Sequence, residues 1–584
     1  MAAIRRHLSD RPAQDAVVHV RDAEREQAEH VSYAELDRRA RRIAVRLAAR
    51  HPRGSRVLLL YPPVEFITAF LGCLYAGMVA VPAPLPGDYG HERRRVRGIA
   101  LDAEVAAVLT DSTELPGVAA WLADEGLTGR ELLATDALAD GAGAEDPDGW
   151  RAPALDRDTP ALLQYTSGST GDPKGVVVTH GNLLSNASAL LNTLAVPAGT
   201  RFGGWAPHFH DMGLMAQTLP ALFLGTTCVL MSPVTFIKRP YQWLRMIDRY
   251  DVGWSAAPNF AYELCCRRVT DEQLAALDLS RWAYAVNGSE PVRTATVTRF
   301  AERFAAAGLR ADAPSPCYGL AEATVFVSGA APRPPAPARV DADLLADHRF
   351  RRTDAAGRDL LGNGTAADFD VRVVDPATGT VLPPGRVGEL WLRGPSVARG
   401  YWRNEEATER TFRARTADGE EGFLRTGDLG LVDDGELYVT GRMKETLILR
   451  GRNLYPQDVE HELRLHHPEL GAVGAVFTAT PDGAPAAAGG SEDALVVTHE
   501  LAGRLDEDGL RALAAGIRQT VVREFGVPVG GVLLLRRGQV RRTTSGKIQR
   551  AEMRRLCLAG ELRPEYADGE ADPGRRAAPH TAGA

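Results

Sequence analysis

YTSGSTGDPKG, from Tyr165 to Gly175, packs three glycines, four Ser/Thr hydroxyls and a lysine into one short stretch. Gly168, Gly171 and Gly175 allow backbone conformations closed to bulkier residues, so successive N–H groups can converge on anionic oxygens. Thr166, Ser167, Ser169 and Thr170 add hydroxyl donors, and Lys174 adds a mobile positive charge. The stretch therefore reads as a phosphate cradle. It is not the P-loop of NTPases, which ends in Gly-Lys-Ser/Thr, because here Pro173 precedes the lysine and Gly175 follows it. A polar loop between two strands is the alternative reading, since Gln164 and Val176–Val178 both look like strand ends.

Outward from the cradle, short apolar runs such as RVLLLY (56–61), AAVLT (106–110), ALLQYT (161–166) and TTCVLM (226–231) alternate with amphipathic segments of helix length. That alternation predicts α/β layers with mainly parallel strands covered by helices. From about Val371 the pattern changes to VRVVD, GELWLRG and GELYVTG with Gly-rich turns, which predicts a β-rich subdomain to about Gly441. The uncharged run Phe66 to Gly87 approaches the length of a membrane span, but Gly72, Gly77, Pro82, Pro84 and Pro86 interrupt it. It is read as a buried helix ending near Gly77 followed by a short strand, with no stable membrane insertion.

A chain of 584 residues exceeds one hydrophobic core and implies two or more domains. The formal charge of −7 is spread without a basic cluster, which argues against nucleic acid and against a polybasic membrane patch. Cysteines at 73, 228, 265, 266, 317 and 557 show neither C-x-x-C nor metal spacing, as expected of free thiols in a reducing compartment. The N-terminal MAAIRRHLSDRPAQD lacks the apolar segment of a secretory signal, so a cytoplasmic location is expected.

Six further motifs follow in order: FHDMGL from Phe209, NGSEPV from Asn287, YGLAEAT from Tyr318, RTGDLG from Arg425, GRMKETLILRGRNLYPQDVE from Gly441 and TTSGKIQR from Thr543. With the opening stretch, this series resembles the adenylate-forming superfamily of acyl-CoA synthetases, luciferases and adenylation domains. The resemblance implies a large N-terminal adenylating domain over 1–443 with several subdomains. A small, mobile α+β C-terminal domain over 444–562 would follow, then a disordered tail over 563–584. Such proteins activate a carboxylate with ATP and Mg²⁺, because hydroxide-like oxygen is a poor leaving group at neutral pH.

The resemblance also implies roles residue by residue. Thr166, Ser167, Gly168, Ser169, Thr170, Gly171 and Lys174 would bind the ATP phosphates, with Thr166 and Glu322 at Mg²⁺, an ion that prefers hard oxygen ligands. Gly288, Ser289, Glu290, Tyr318 and Gly319 would surround the adenine. Asp428 would accept from the two ribose hydroxyls, since an ionised carboxylate accepts several hydrogen bonds, and Arg442 would hold the ribose or phosphate from the other side. Lys444 would be the hinge; the adjacent Glu445 stands where the family commonly has Asp. Lys547 would be the catalytic lysine, its ammonium bridging the incoming carboxylate and the α-phosphate. His210, Asp211, Met212 and Gly213 would shape and gate the acyl pocket. Adenylation needs no general base, because the attacking carboxylate is already ionised. Phe209, Leu214, Trp205, Met231 and Phe236 are candidates for its wall, with core packing as the competing reading.

Within the superfamily, YPPVEFITAFLGCLYAGMVAVPAPLP, GPSVARGYW and GRNLYPQDVE are similar to the fatty-acyl-AMP ligase branch, which hands fatty acyl groups to carrier proteins in lipopeptide, polyketide or lipid biosynthesis. Arg339 to Leu361 lies where that branch carries an extra segment, although the following GNGTAADF departs from the branch's usual Gly-x-Pro-x-Pro-Gly. No Asp-Ser-Leu attachment site follows Lys547, so a separate holo acyl carrier protein is expected. A fatty acyl-CoA ligase using free CoA is the alternative, and a non-catalytic nucleotide-binding relative is a third reading.

Overall fold

The computed structural model describes residues 2–87, 90–138, 146–166, 174–445, 447–449, 452–479, 494–543 and 546–569. Contacts divide the chain into two units. The first gathers residues 1–340, 352–426 and 430–439; the second gathers 341–351, 427–429 and 440–584.

Two sheets organise the first unit. One has the order Glu131–Ala134, Ala107–Thr110, Arg56–Leu59, Val79–Pro82, Pro160–Thr166, Lys174–Thr179, and is parallel until the final antiparallel pair. The other runs Pro314–Pro316, Tyr284–Asn287, Val252–Ala257, Arg201–Gly204, Cys228–Met231, Asp15–Asp22, Gln27–Ser32, and only its last pair is antiparallel. Parallel strands buried on both faces need apolar runs rather than alternation, which is how Arg56–Leu59 and Cys228–Met231 read.

The uncharged run resolves as expected. Pro63 begins a helix over Pro63–Ala76, because its missing N–H is lost at no cost in the first turn, and Gly77 ends it in the left-handed region at φ 71°. Phe66, Ile67, Phe70 and Leu71 are buried there, each fully buried apolar side chain contributing roughly 1.5–3 kcal/mol. The strand Val79–Pro82 follows. Among the described residues no helix is long and apolar enough to cross a membrane.

The β-rich region consists of Asp370–Val374, Gly388–Arg393, Leu424–Asp433 and Glu436–Arg442 in that sheet order. Upstream, Ala338–Val340 pairs antiparallel with Arg358–Leu360, and Arg339 forms an ion pair with Asp359 at 2.9 Å. Between these strands Asp341 caps the short helix Ala342–Ala346 by accepting from the Leu344 N–H, and Arg351 returns to Asp341 at 2.8 Å.

The second unit carries a sheet ordered Leu470–Ala479, Ala494–Leu501, Val529–Leu535, Tyr566–Gly569, with helices Pro456–His466, Glu507–Phe525 and Arg550–Leu558. The last strand corrects the expected disorder from residue 563. Tyr566–Gly569 pairs antiparallel with Val529–Leu535, and the Asp568 carboxylate accepts from Arg518 at 2.5 Å and from the Val532 N–H at 3.2 Å. The short, half-polar stretch YADG concealed a strand that is held by backbone pairing and the Arg518 partner of Asp568, with Tyr566 and Ala567 packed against the core. Residues 570–584 lie outside the described residues.

Candidate active site

Strand Pro160–Thr166 delivers Thr166 to its carboxyl end, where the antiparallel return strand begins at Lys174. Thr166 and Lys174 are cross-strand partners. The intervening Ser167, Gly168, Ser169, Thr170 and Gly171, expected to cradle phosphate, lie outside the described residues. Tyr165 anchors the hairpin from below, donating its phenol to Asp102 at 2.5 Å.

Carboxyl ends of neighbouring parallel strands are where open α/β sheets place ligands, and in the second sheet the residues expected at the adenine follow such ends. Tyr284–Asn287 runs into Gly288, Ser289 and Glu290, and the adjacent strand Pro314–Pro316 runs into Tyr318 and Gly319. Ser289 adopts φ 67°, and Glu290 Oε1 accepts from the Phe260 N–H at 2.5 Å. Tyr318 is buried and its N–H donates to Ser328 O at 3.1 Å. Gly319 is obligatory: a Cβ there would sit 1.7 Å from the Val325 carbonyl oxygen. Three residues on, Glu322 occupies the single turn Ala321–Ala323 and keeps its carboxylate partly exposed. The next residue, Thr324, holds φ 69°, a genuine outlier for a β-branched side chain. Its hydroxyl donates to Ser396 O at 2.7 Å, which holds that strained conformation in place.

Segment 395–402 joins these two regions. Asn182, at the start of helix His180–Thr193, donates Nδ2 to Pro395 O and Val397 O, both at 2.9 Å. The Ala398 N–H donates to Glu322 O at 2.9 Å. Beyond it the chain pairs with the strand that starts at Lys174: Arg399 N–H to Val177 O, Val177 N–H to Gly400 O, and Trp402 N–H to Gly175 O. Gly400 is required at φ 143°, where a Cβ would fall 2.5 Å from Thr408 Cγ2. Tyr401 then points its hydroxyl at Glu322 Oε1, 2.9 Å away, and its ring centroid lies 5.2 Å from Lys174 Nζ. Lys174 and Glu322 thus both meet Tyr401, a residue to which the sequence reading gave no role, and Thr166 is the cross-strand partner of Lys174.

Glu322 Oε2 accepts no hydrogen bond among the described residues, so the carboxylate retains a hard oxygen for a cation. One carboxylate, a threonine hydroxyl and substrate phosphates suit Mg²⁺, which keeps several waters and seldom takes an all-protein cage. The donor set fits that ion. No group of three or more His, Cys, Asp or Glu side chains able to hold a metal exists among the described residues.

The turn His210–Gly213 is tied to the same hairpin, because Gln164 on strand Pro160–Thr166 donates Nε2 to Phe209 O at 3.0 Å. His210 Nδ1 lies 2.5 Å from Asp211 Oδ1, which also accepts from the Met212 N–H at 2.7 Å. Asp211 caps the π-helical turn Met212–Thr218, an uncommon form of helix that often marks functional sites. Of the candidate wall residues, Leu214, Met231, Trp205 and Phe236 are core, the last two stacked with centroids 4.1 Å apart. Phe209 is half-buried and meets His208 edge-on. Burial lowers the His208 imidazole to about 4 from 6.5.

The remaining expected residues belong to the second unit. Arg442 donates Nε to Asp428 Oδ1 at 2.8 Å; the carboxylate is buried and the guanidinium half-exposed. Lys444 is exposed in the turn Met443–Glu445. Lys547 lies in a hairpin turn where the Thr543 N–H donates to Lys547 O at 2.8 Å and the Lys547 N–H to Thr543 Oγ1 at 3.1 Å. Arg550 begins the next helix and clamps Glu460 bidentately at 2.8 Å while reaching Glu445 at 2.6 Å.

Comparison with known proteins gives a consistent picture. Residues 4–402 match the AMP-binding enzyme family model. The chain is 39% identical over 549 residues to a medium-chain-fatty-acid–[acyl-carrier-protein] ligase of Moorena producens, covering 91% of this chain and 90% of that protein. It is 38% identical to a long-chain-fatty-acid–AMP ligase of Mycobacterium marinum, covering 90% and 91% respectively. Its fold matches the crystal structure of a Legionella pneumophila fatty acyl-adenylate ligase in complex with acyl adenylate and pyrophosphate, with TM-score 0.73, 32% identity and 98% of each chain covered.

Proposed function

The chain belongs to the AMP-binding enzyme family, and from that premise we propose that it is an ATP-dependent fatty-acyl-AMP ligase serving a separate acyl carrier protein. A fatty carboxylate oxygen attacks the α-phosphorus of ATP, the bond to the bridging oxygen breaks, and pyrophosphate leaves. The phosphopantetheine thiolate of the carrier then attacks the acyl carbonyl and AMP leaves. The observation that carries this reading is that segment 395–402 holds Glu322 through Ala398 and Tyr401 and brings the Tyr401 ring to Lys174, the cross-strand partner of Thr166.

In this reading Thr166, Lys174 and residues 167–171 hold the phosphates. Glu322 and Thr166 hold Mg²⁺, whose charge, when bound, neutralises the triphosphate. Gly288, Ser289, Glu290, Tyr318 and Gly319 receive the adenine, Asp428 and Arg442 the ribose. Met212 and Gly213, beside the His210–Asp211 pair, shape the acyl entrance. Lys547 stabilises the charge that develops between carboxylate and α-phosphate, and Lys444 serves as the hinge between half-reactions.

The test is mass spectrometry of the purified protein with ATP, Mg²⁺ and fatty acids of graded length, run in parallel with free CoA and with a holo carrier protein. Acyl-adenylate together with acylated carrier, and no acyl-CoA, is the expected result. Efficient acyl-CoA formation would move the protein to the CoA-ligase branch, and absence of any adenylate would overturn the reading.

A further inference from the structure

The aromatic residue at the centre of the gathered site has no assigned part in the chemistry, yet its geometry is specific. We infer that Tyr401 is a positioning residue that sets the Glu322 carboxylate for metal binding and supports Lys174 beneath the phosphates. The inference rests on the adenylating role proposed above. Tyr401 donates its hydroxyl to Glu322 Oε1 at 2.9 Å, and among the described residues Oε2 accepts no hydrogen bond. A carboxylate on a one-turn helix has free side-chain torsions; engaging one oxygen fixes the plane of the group and directs the other.

The backbone around Tyr401 is built to hold that contact. Its N–H donates to Thr408 Oγ1 at 2.9 Å, its ring packs edge-on against Phe412 with centroids 5.1 Å apart, and Val176 pairs with it across an antiparallel bridge. The Ala398 N–H, three residues earlier, fixes the Glu322 backbone as well. Both ends of the hydrogen bond are therefore set by one short segment. On the opposite side the Tyr401 ring faces the Lys174 ammonium at 5.2 Å, inside the range of a cation–π contact. One side chain thus touches both the carboxylate that would hold the cation and the ammonium that would meet the phosphates.

Tyr401→Phe separates the two roles, because it removes the hydroxyl and keeps the ring. The probe is Mn²⁺ binding to the full chain with a non-hydrolysable ATP analogue, read by electron paramagnetic resonance. Metal-free binding of pyrophosphate is read separately by calorimetry. Tyr401→Phe should weaken Mn²⁺ about 10- to 100-fold, the usual effect of removing a partner of a metal-binding carboxylate, and leave metal-free pyrophosphate binding unchanged. Tyr401→Leu should add a loss of about two- to fivefold in metal-free pyrophosphate affinity as Lys174 loses its ring. Thermal melting of each variant shows whether it is folded, and Tyr401→His, which keeps a ring donor, should recover part of the Mn²⁺ affinity. Wild-type Mn²⁺ affinity in Tyr401→Phe, or no recovery in Tyr401→His over Tyr401→Leu, overturns the inference alone. Wild-type Mn²⁺ affinity in Glu322→Gln overturns the metal assignment of the proposed function, and this inference with it.

Discussion

Replacing Arg550 by Met should unfasten the second unit and spare the first. Its guanidinium makes two 2.8 Å bonds to Glu460 and one of 2.6 Å to Glu445. The Glu460 side chain is only 3% exposed, and its Oε1 also accepts from the Val476 N–H at 3.0 Å. Removing one partner of such a buried pair leaves a charge that water cannot reach, a loss of about 3–5 kcal/mol. At 1.36 kcal/mol per decade that is about two to nearly four decades in local opening. All eight tryptophans lie between residues 121 and 402 in the first unit. Tryptophan fluorescence during guanidinium unfolding therefore reports that unit, and hydrogen exchange over Pro456–His466, Leu470–Ala479 and Arg550–Leu558 reports the other. The Arg550→Met variant should keep the fluorescence midpoint and lose exchange protection by the stated factor. Arg550→Met with Glu460→Gln should regain most of it, because an amide oxygen still accepts from Val476 and carries no charge. Unchanged protection in the single variant, or no recovery in the double, would refute the reasoning.

Lys547→Ala should slow single-turnover acyl-adenylate formation at least about 10²-fold, comparable with loss of one transition-state donor, while ATP binding by calorimetry changes little; wild-type adenylation would sink its assignment. Burial holds His208 neutral in the fold down to about pH 4, whereas the unfolded chain takes up its proton near 6.5. The unfolded state binds more protons in that window, so stability of the first unit should rise with pH from about 4 to 6.5, and the gap is worth about 3 kcal/mol. Tryptophan-detected unfolding at several pH values checks this, and His208→Asn should flatten the slope; an equally steep slope in the variant would show that other groups carry it.

Much of the fold was legible because parallel strands buried on both faces write themselves as apolar runs: Arg56–Leu59, Ala107–Thr110, Pro160–Thr166 and Cys228–Met231 all lie on runs visible without the fold. The helix to Ala76 announced both its ends, with proline at one and glycine at the other. Two things were not legible. Tyr566–Gly569 has no strand pattern of its own, since Arg518 and the edge of Val529–Leu535 determine it. Tyr401 stood in a quoted motif, but its meaning depends on Glu322, 79 residues earlier, and on Lys174 across a strand pair. Local sequence carries no signal for contacts of that range, whereas helix ends such as Pro63 and Gly77 are written locally.

Strand Lys174–Thr179 ends its sheet, and Val176–Val178 give it three consecutive β-branched residues. An edge of that kind, left bare, is a template on which a second chain can add a strand. Residues 399–402 occupy its unpaired backbone groups through Val177 and Gly175. The segment that carries Tyr401 therefore also covers an edge of this sheet, and Gly400, at φ 143°, lies within that cover.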